Sequence, residues 1–382
     1  MDRPFRSLLC MLVLWATAAA AFDQTPFDVA ANKILLTVTP TPANPRNSEG
    51  AFATLRSGRI LFCYSAYYGG KGEDHGPARL VQIHSDDQGA TWSAPKTIVE
   101  NEGRYNVMSV SLLRAASGKL HLTYLVKNDW LDCRPYLRTS EDDGATWSQP
   151  RLILQAPGYF VVNNDRLIQT AKGRLILPVA FHRSRGQDPL SSRSFDARAT
   201  ALWITSDDDG KTWQESANWW AMPVRSGSGL QEPGLVENPD GSLWSWARTD
   251  AGFQYGFVSN DGGKVWSAPV PTTLASPVSP ASIKRIPGSA ELLAVFNDHS
   301  GRVPFPKGKR SPLVAAISKD GGATWGAPKV LEGDPDGWYC YTAIHFVGDD
   351  VLLAYCAGDS AKKTYLNVLR VRRTSLAWLR SE

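Results

Sequence analysis

The chain has 382 residues with 41 Lys and Arg against 37 Asp and Glu, a balance too even to mark a surface built for nucleic acid or an anionic membrane. Its 14 Trp and 12 Tyr suit a β-rich core with some rings left over for stacking on sugars. The five cysteines show neither Cys-x-x-Cys nor Cys/His metal spacing, which leaves a disulfide open and its pairing unreadable.

The N-terminus, MDRPFRSLLCMLVLWATAAAAFDQ, places two arginines before an apolar run and small residues of the Ala-x-Ala type. That order is expected of a signal peptide over residues 1–21, giving a mature chain 22–382 that is secreted or periplasmic. No later apolar run approaches the roughly 18 residues of a spanning helix, so no membrane span is expected. Cys10 would leave with the signal, and Cys63, Cys133, Cys340 and Cys356 would remain.

Next comes KILLTV at 33–38, a strand, and then a hairpin pattern that repeats to the end of the chain. Its six copies are EGAFATLRSGRILF, SVSLLRAASGKLHLTY, NDRLIQTAKGRLILP, EPGLVENPDGSLWSW, PASIKRIPGSAELLAVF and YTAIHFVGDDVLLAY. Five octapeptides of the form Ser-x-Asp-x-Gly-x-Thr-Trp follow the first five hairpins, starting at residues 85, 140, 206, 259 and 318, with Val265 replacing Thr in the fourth. In each, Ser and Asp can bond nearby backbone N–H groups, Gly permits φ > 0 and Trp anchors the turn. Their tryptophans are 55, 66, 53 and 59 residues apart, which suits one four-stranded antiparallel blade per repeat. The last hairpin has no box; YLNVLRV at 365–371 and the N-terminal strand would complete it and remove an open edge. The expected fold is all-β, a single six-bladed propeller of four-stranded antiparallel blades with five Asp-box turns.

Blades pack radially, so innermost strands begin together at one mouth of a central tunnel. Counting back nine residues from the turn glycine gives Glu49, Ser109, Asn164 and Glu232, and the same count from Asp350 gives Tyr341. All are polar, whereas three residues further on stand Phe52, Leu112, Leu167, Leu235 and Ile344. The strand after each turn returns to this mouth, bringing Arg248 near Glu232. Asp74 and Arg310 precede the third strands of their blades and should reach the same cleft. Asn164, Asp165 and His182 are candidates for sugar hydroxyls, or for buried hydrogen bonding.

This pattern resembles the sialidase (neuraminidase) superfamily of six-bladed, Asp-box (BNR-repeat) propellers over the whole mature chain. The resemblance maps QEPGLVENPDGSLWSWAR onto a Glu that opens one inner strand and an Arg that closes the next, Glu232 and Arg248. It maps RSPLVAAISKDGGATW onto a further arginine, Arg310; YTAI onto the tyrosine of the last inner strand, Tyr341; and DHGPARLVQIHSDD onto Asp74. It implies a retaining exo-glycoside hydrolase that releases a terminal sialic acid or related acidic sugar from a glycan or glycoconjugate. Tyr341 would be the nucleophile, since an anionic one would be repelled by a carboxylate on the anomeric carbon. Glu232 would be its base and Asp74 the acid, with Arg248 and Arg310 binding the carboxylate bidentately.

The family's first arginine, near the start of the first inner strand, is not evident in NPRNSEGAF. Glu49 stands at or beside its place and Arg46 about three residues upstream. Arg46 or Arg198 substitutes, or the ligand is not an ordinary sialoside; Arg198 precedes its box at Ser206 by the eight residues that separate Arg310 from Ser318. Glu49 would then pair with arginine or read a polar substituent. No metal cluster or phosphate loop stands out, so no cofactor is expected, and the protein is expected to act as a monomer. Two other functions fit such a scaffold, a non-catalytic carbohydrate-binding propeller and a polyuronate lyase.

Overall fold

A computed structural model describes residues 32–277 and 279–381; the expected signal peptide lies outside them. The fold is all-β, and among the described residues helix is confined to one turn of 3-10 helix at Ser192–Ser194 and the short α-helix Leu376–Arg380. Among the described residues no helix is long and apolar enough to cross a membrane.

The first antiparallel sheet runs Arg46–Thr54, Ile60–Tyr67, Ala78–Ser85 and Lys96–Val99 in spatial order. All eight residues of Ile60–Tyr67 are buried, while Ala78–Ser85 alternates between inside and outside. The strand covered on both faces is accordingly apolar or aromatic at every position but Ser65, and the one nearer the rim keeps the period of two on either side of a shift at Leu80 and Val81. Equivalent four-stranded sheets start at Gln231–Glu237 and Ser282–Arg285. In the last, Asn32–Val38 pairs with Leu369–Ser375, next to the hairpin Gly337–Val347 and Asp350–Asp359. The N-terminal strand thus covers the edge that the sequence left open, although its partner begins at Leu369, four residues later than the expected 365.

The second and third hairpins belong to one nine-stranded sheet. The bridge is Tyr159–Val161, which pairs antiparallel with Leu175–Ser184 and meets Cys133 in parallel. Apolar clusters fill the spaces between consecutive hairpin groups. One joins Leu61 to Leu122, another Leu137 to Leu177, a third Trp203 to Leu243, and so on to Phe62 with Leu352, which connects the last group to the first.

Each Asp box closes as its side chains require. In the third, Asp208 accepts from the Thr212 amide at 2.8 Å and the Thr212 hydroxyl at 2.6 Å, while Ser206 Oγ accepts from the Gly210 amide at 2.9 Å. Gly210 has φ +80°, which a side chain would strain. The fourth box, with Val265, keeps its amide bond to Asp261 at 3.0 Å without a hydroxyl to add a second. Cys63, Cys133, Cys340 and Cys356 are buried free thiols, Cys340 lying directly across from Cys356.

Candidate active site

Four inner strands carry the same irregularity. The ladder slips between Ser48 and Ala51, Met108 and Ser111, Gln231 and Gly234, and Cys340 and Ala343. Each of these β-bulges places its first residue in the left-handed region: Glu49 at φ +58°, Ser109 at +60°, Glu232 at +49° and Tyr341 at +58°. A bulge re-aims a side chain that the regular pleat would point into a neighbouring sheet. The four side chains converge on a cavity of about 180 Å³ that Asp74 and Lys127 also line. Met108, Leu125, Val161 and Phe195 form an apolar wall, interrupted by Asn163 and His182.

Glu232 accepts from Arg248 Nη1 at 2.9 Å. Burial alone would raise the Glu232 carboxyl, but Arg248, Arg310 and the Tyr341 hydroxyl hold it below the ordinary carboxylate range. Tyr341 moves the other way: burial and then the Glu232 charge push its hydroxyl well above the usual tyrosine value, against the opposing pull of Arg310. Arg310 is itself buried, its guanidinium 5.1 Å from the Tyr341 ring centre and donating to Cys340 Sγ at 2.8 Å. A neutral phenol therefore stands beside an ionised carboxylate, the pairing that base-assisted nucleophilic attack requires.

On the other side, Arg46 is 1 % exposed and fully engaged by the protein. Its Nη2 donates to Glu49 at 2.8 Å, Nη1 to Asp74 at 2.5 Å and Nε to Ser48 at 3.0 Å, and its guanidinium lies 4.5 Å from the Tyr67 ring centre. Glu49 takes a further bond from Ser109 Oγ at 2.5 Å. Burial raises the Glu49 carboxyl more than Arg46 and Ser109 lower it. Asp74, at the cavity rim, resists burial's upward push because Arg46 and Lys127 draw its pKa down to about 2.

Arg198 does not come to this site. Its side chain is 56 % exposed and forked onto Asp196 at 2.9 and 3.0 Å, near the start of the long strand Phe195–Ser206. Asn164 is near the mouth but does not line the cavity: fully buried, it donates to the backbone oxygens of Gly50 at 2.7 Å and Tyr341 at 3.1 Å, tying the first inner strand to the last. The left-handed residue of the third group is instead Asp165, φ +59°, which faces away and accepts from Lys284 Nζ at 2.7 Å. Asn163 takes the cavity position expected of Asn164. His182 lines the cavity with Nδ1 held against the Asp196 carbonyl at 2.9 Å.

Lys127 was missed by counting from turns. It closes LHLTYLVK as Arg248 closes LWSWAR, so a basic residue ending an apolar second strand was the available signal. Among the described residues no group of His, Cys, Asp and Glu is arranged to hold a metal ion.

Residues 40–353 match the BNR repeat-like domain family. An anhydrosialidase from Macrobdella decora is 31 % identical over 143 residues, which is 35 % of this chain and only 16 % of that protein. Among solved structures, a protein of unknown function from Dyadobacter fermentans superposes with a TM-score of 0.70 at 16 % identity, covering 90 % of this chain and 99 % of that one. The intramolecular trans-sialidase of Ruminococcus gnavus gives 0.68 at 16 % identity, with 93 % and 99 % covered. A Hadza microbial sialidase gives 0.67 at 20 % identity, with 88 % and 67 % covered. At such identities the structural likeness speaks for a shared fold.

Proposed function

Since the chain belongs to the BNR repeat-like domain family, we propose that it is a sialidase-type exo-glycoside hydrolase on a six-bladed propeller, exported by its N-terminal signal. The nine-stranded sheet would then be two blades stapled by Tyr159–Val161. The substrate is a glycoside ending in sialic acid or a related acidic sugar. The observation that carries this proposal is the neutral Tyr341 phenol beside the ionised Glu232, with Arg248 and Arg310 behind them and Asp74 on the same cavity.

In this scheme Glu232 takes the phenolic proton as Tyr341 Oη bonds to the anomeric carbon, and the glycosidic oxygen leaves with a proton from Asp74. Water, deprotonated by Asp74, then displaces the tyrosine, whose oxygen recovers its proton from Glu232. Two displacements retain configuration. Arg46 keeps Asp74 ionised in the free protein, so protonation of the leaving oxygen gains from the arriving substrate carboxylate, whose negative charge raises the Asp74 pKa.

The test is hydrolysis of a panel of fluorogenic sialosides and uronides by the wild type and Tyr341→Phe. Turnover by the wild type and its loss in the variant are expected. Absence of cleavage with retained glycan binding would favour a lectin-like role, and unsaturated products absorbing in the ultraviolet a lyase.

A further inference from the structure

Arginine recognises a carboxylate by offering two parallel N–H groups. Arg46 has no such pair to offer, because Glu49, Asp74 and Ser48 occupy Nη2, Nη1 and Nε. Arg198 lies on the surface with Asp196. The cavity wall itself presents three carboxyl side chains, Glu49, Asp74 and Glu232, and one cation, Lys127.

Lys127 is 5 % exposed. Of the three N–H bonds on an ammonium group, one reaches the Asp74 carbonyl oxygen at 3.0 Å, and the charge lies 5.6 Å from the Tyr159 ring centre. Among the described residues it forms no ion pair, so two donors on a buried cation remain without a protein acceptor. Burial lowers the Lys127 pKa despite the nearby Cys133, Asp74 and Glu49. An anion in the cavity would supply the acceptors and the countercharge together.

We infer that Lys127 is the third cation of the substrate site, taking the ligand's acidic group in place of Arg46. The inference rests on the acidic-sugar substrate proposed above. It places Lys127 with Arg248 and Arg310 as a binding residue and leaves Arg46 to position Glu49 and Asp74.

The experiment titrates wild type, Lys127→Met and Lys127→Arg with 2,3-didehydro-2-deoxy-N-acetylneuraminic acid and with its methyl ester, which keeps the shape and removes the charge. Methionine fits the wall formed by Met108 and Leu125, and matching thermal melts would establish that the variant folds. The wild type should bind the acid at least tenfold more tightly than the ester. Lys127→Met should weaken the acid tenfold or more and the ester less than twofold, with Lys127→Arg recovering part of the loss. Equal losses on both ligands, no loss on either, or a wild type without preference for the acid would overturn the assignment. The hydrolase proposal fails separately: a Lys127-dependent preference without any glycoside cleavage would sink the activity and spare Lys127, whereas Tyr341-dependent cleavage with an unchanged preference in Lys127→Met would do the reverse.

Discussion

Glu232→Gln separates chemistry from architecture at the centre of the site. The amide keeps the size of the carboxylate and can still accept from Arg248 at the 2.9 Å contact, but it cannot take the Tyr341 proton. A positioned general base contributes about 10²–10⁴ in rate, roughly 2.7–5.4 kcal/mol of barrier. The structural loss is smaller: a largely buried Arg248 loses its countercharge while keeping a hydrogen bond, a cost of about 1–3 kcal/mol. At about 2.1 cal/mol/K per residue, a chain of this length melts roughly 1–2 °C lower for each kcal/mol lost, so melting should fall by a few degrees and leave the variant folded at assay temperature. The assay is kcat/KM on a fluorogenic sialoside across pH, beside a melting curve. Because Glu232 is held below the ordinary carboxylate range, the acidic limb of the wild-type profile that reports this base should lie below that range, and that limb should disappear in the variant. A variant that melts lower yet retains kcat/KM within tenfold of the wild type would refute the base assignment and leave Glu232 with Arg248 as a structural ion pair.

Arg198→Ala should leave kcat/KM within twofold, since its side chain is exposed and bound only to Asp196; a tenfold loss would place it in substrate binding after all. The box carboxylates Asp87, Asp142, Asp208 and Asp320 are held at about 2 by hydrogen bonds from their own turns. Depressed in the fold, they contribute stability fully present above the unfolded value of about 3.9 and lost as pH falls through about 2, so melting temperature should drop steeply in that window and less steeply in Asp208→Asn. At Ser109, φ +60° reverses the usual ranking of replacements: Ser109→Gly should melt above Ser109→Ala by about 1 kcal/mol, because both lose the bond to Glu49 but only glycine relieves the backbone. Denaturant midpoints that favour alanine would show that the bulge is not left-handed in solution.

The repeat made most of the fold readable because it is written twice, once in hairpins and once in boxes. Ser and Asp side chains satisfy the turn locally, so their spacing needs no knowledge of the rest of the chain. What could not be read was the bridge at Tyr159–Val161, whose partners lie across two groups, and whose three residues carry no turn signal or repeat. The same locality decided which site residues counting could find. Glu49, Ser109, Glu232 and Tyr341 sit at a fixed distance from their turns because each bulge falls at the same rung. In the third group the first strand is reduced to Ile168–Gln169, the left-handed residue slides to Asp165, and Asn164 turns inward. Arg198 failed for a related reason: its offset from the box equals that of Arg310, but it lies inside a 12-residue strand, whereas Arg310 stands ahead of a six-residue one.

A β-sheet spends its inner strands on packing, and a site at the centre of such a protein has to be made by interrupting them. The four bulges do this at a cost, since left-handed backbone in non-glycine residues is disfavoured by about 1–2 kcal/mol each. The compensation is local and specific to each position: Arg248 on Glu232, Arg46 and Ser109 on Glu49, Arg310 against the ring of Tyr341. Both charged side chains brought to the mouth by a bulge, Glu49 and Glu232, thus arrive with an arginine partner. Lys127 reaches the cavity differently, at the end of a regular strand without a bulge of its own. It has no backbone strain to offset and, among the described residues, forms no ion pair, so in the proposed site its charge can meet that of a ligand when the charge of Arg46 cannot.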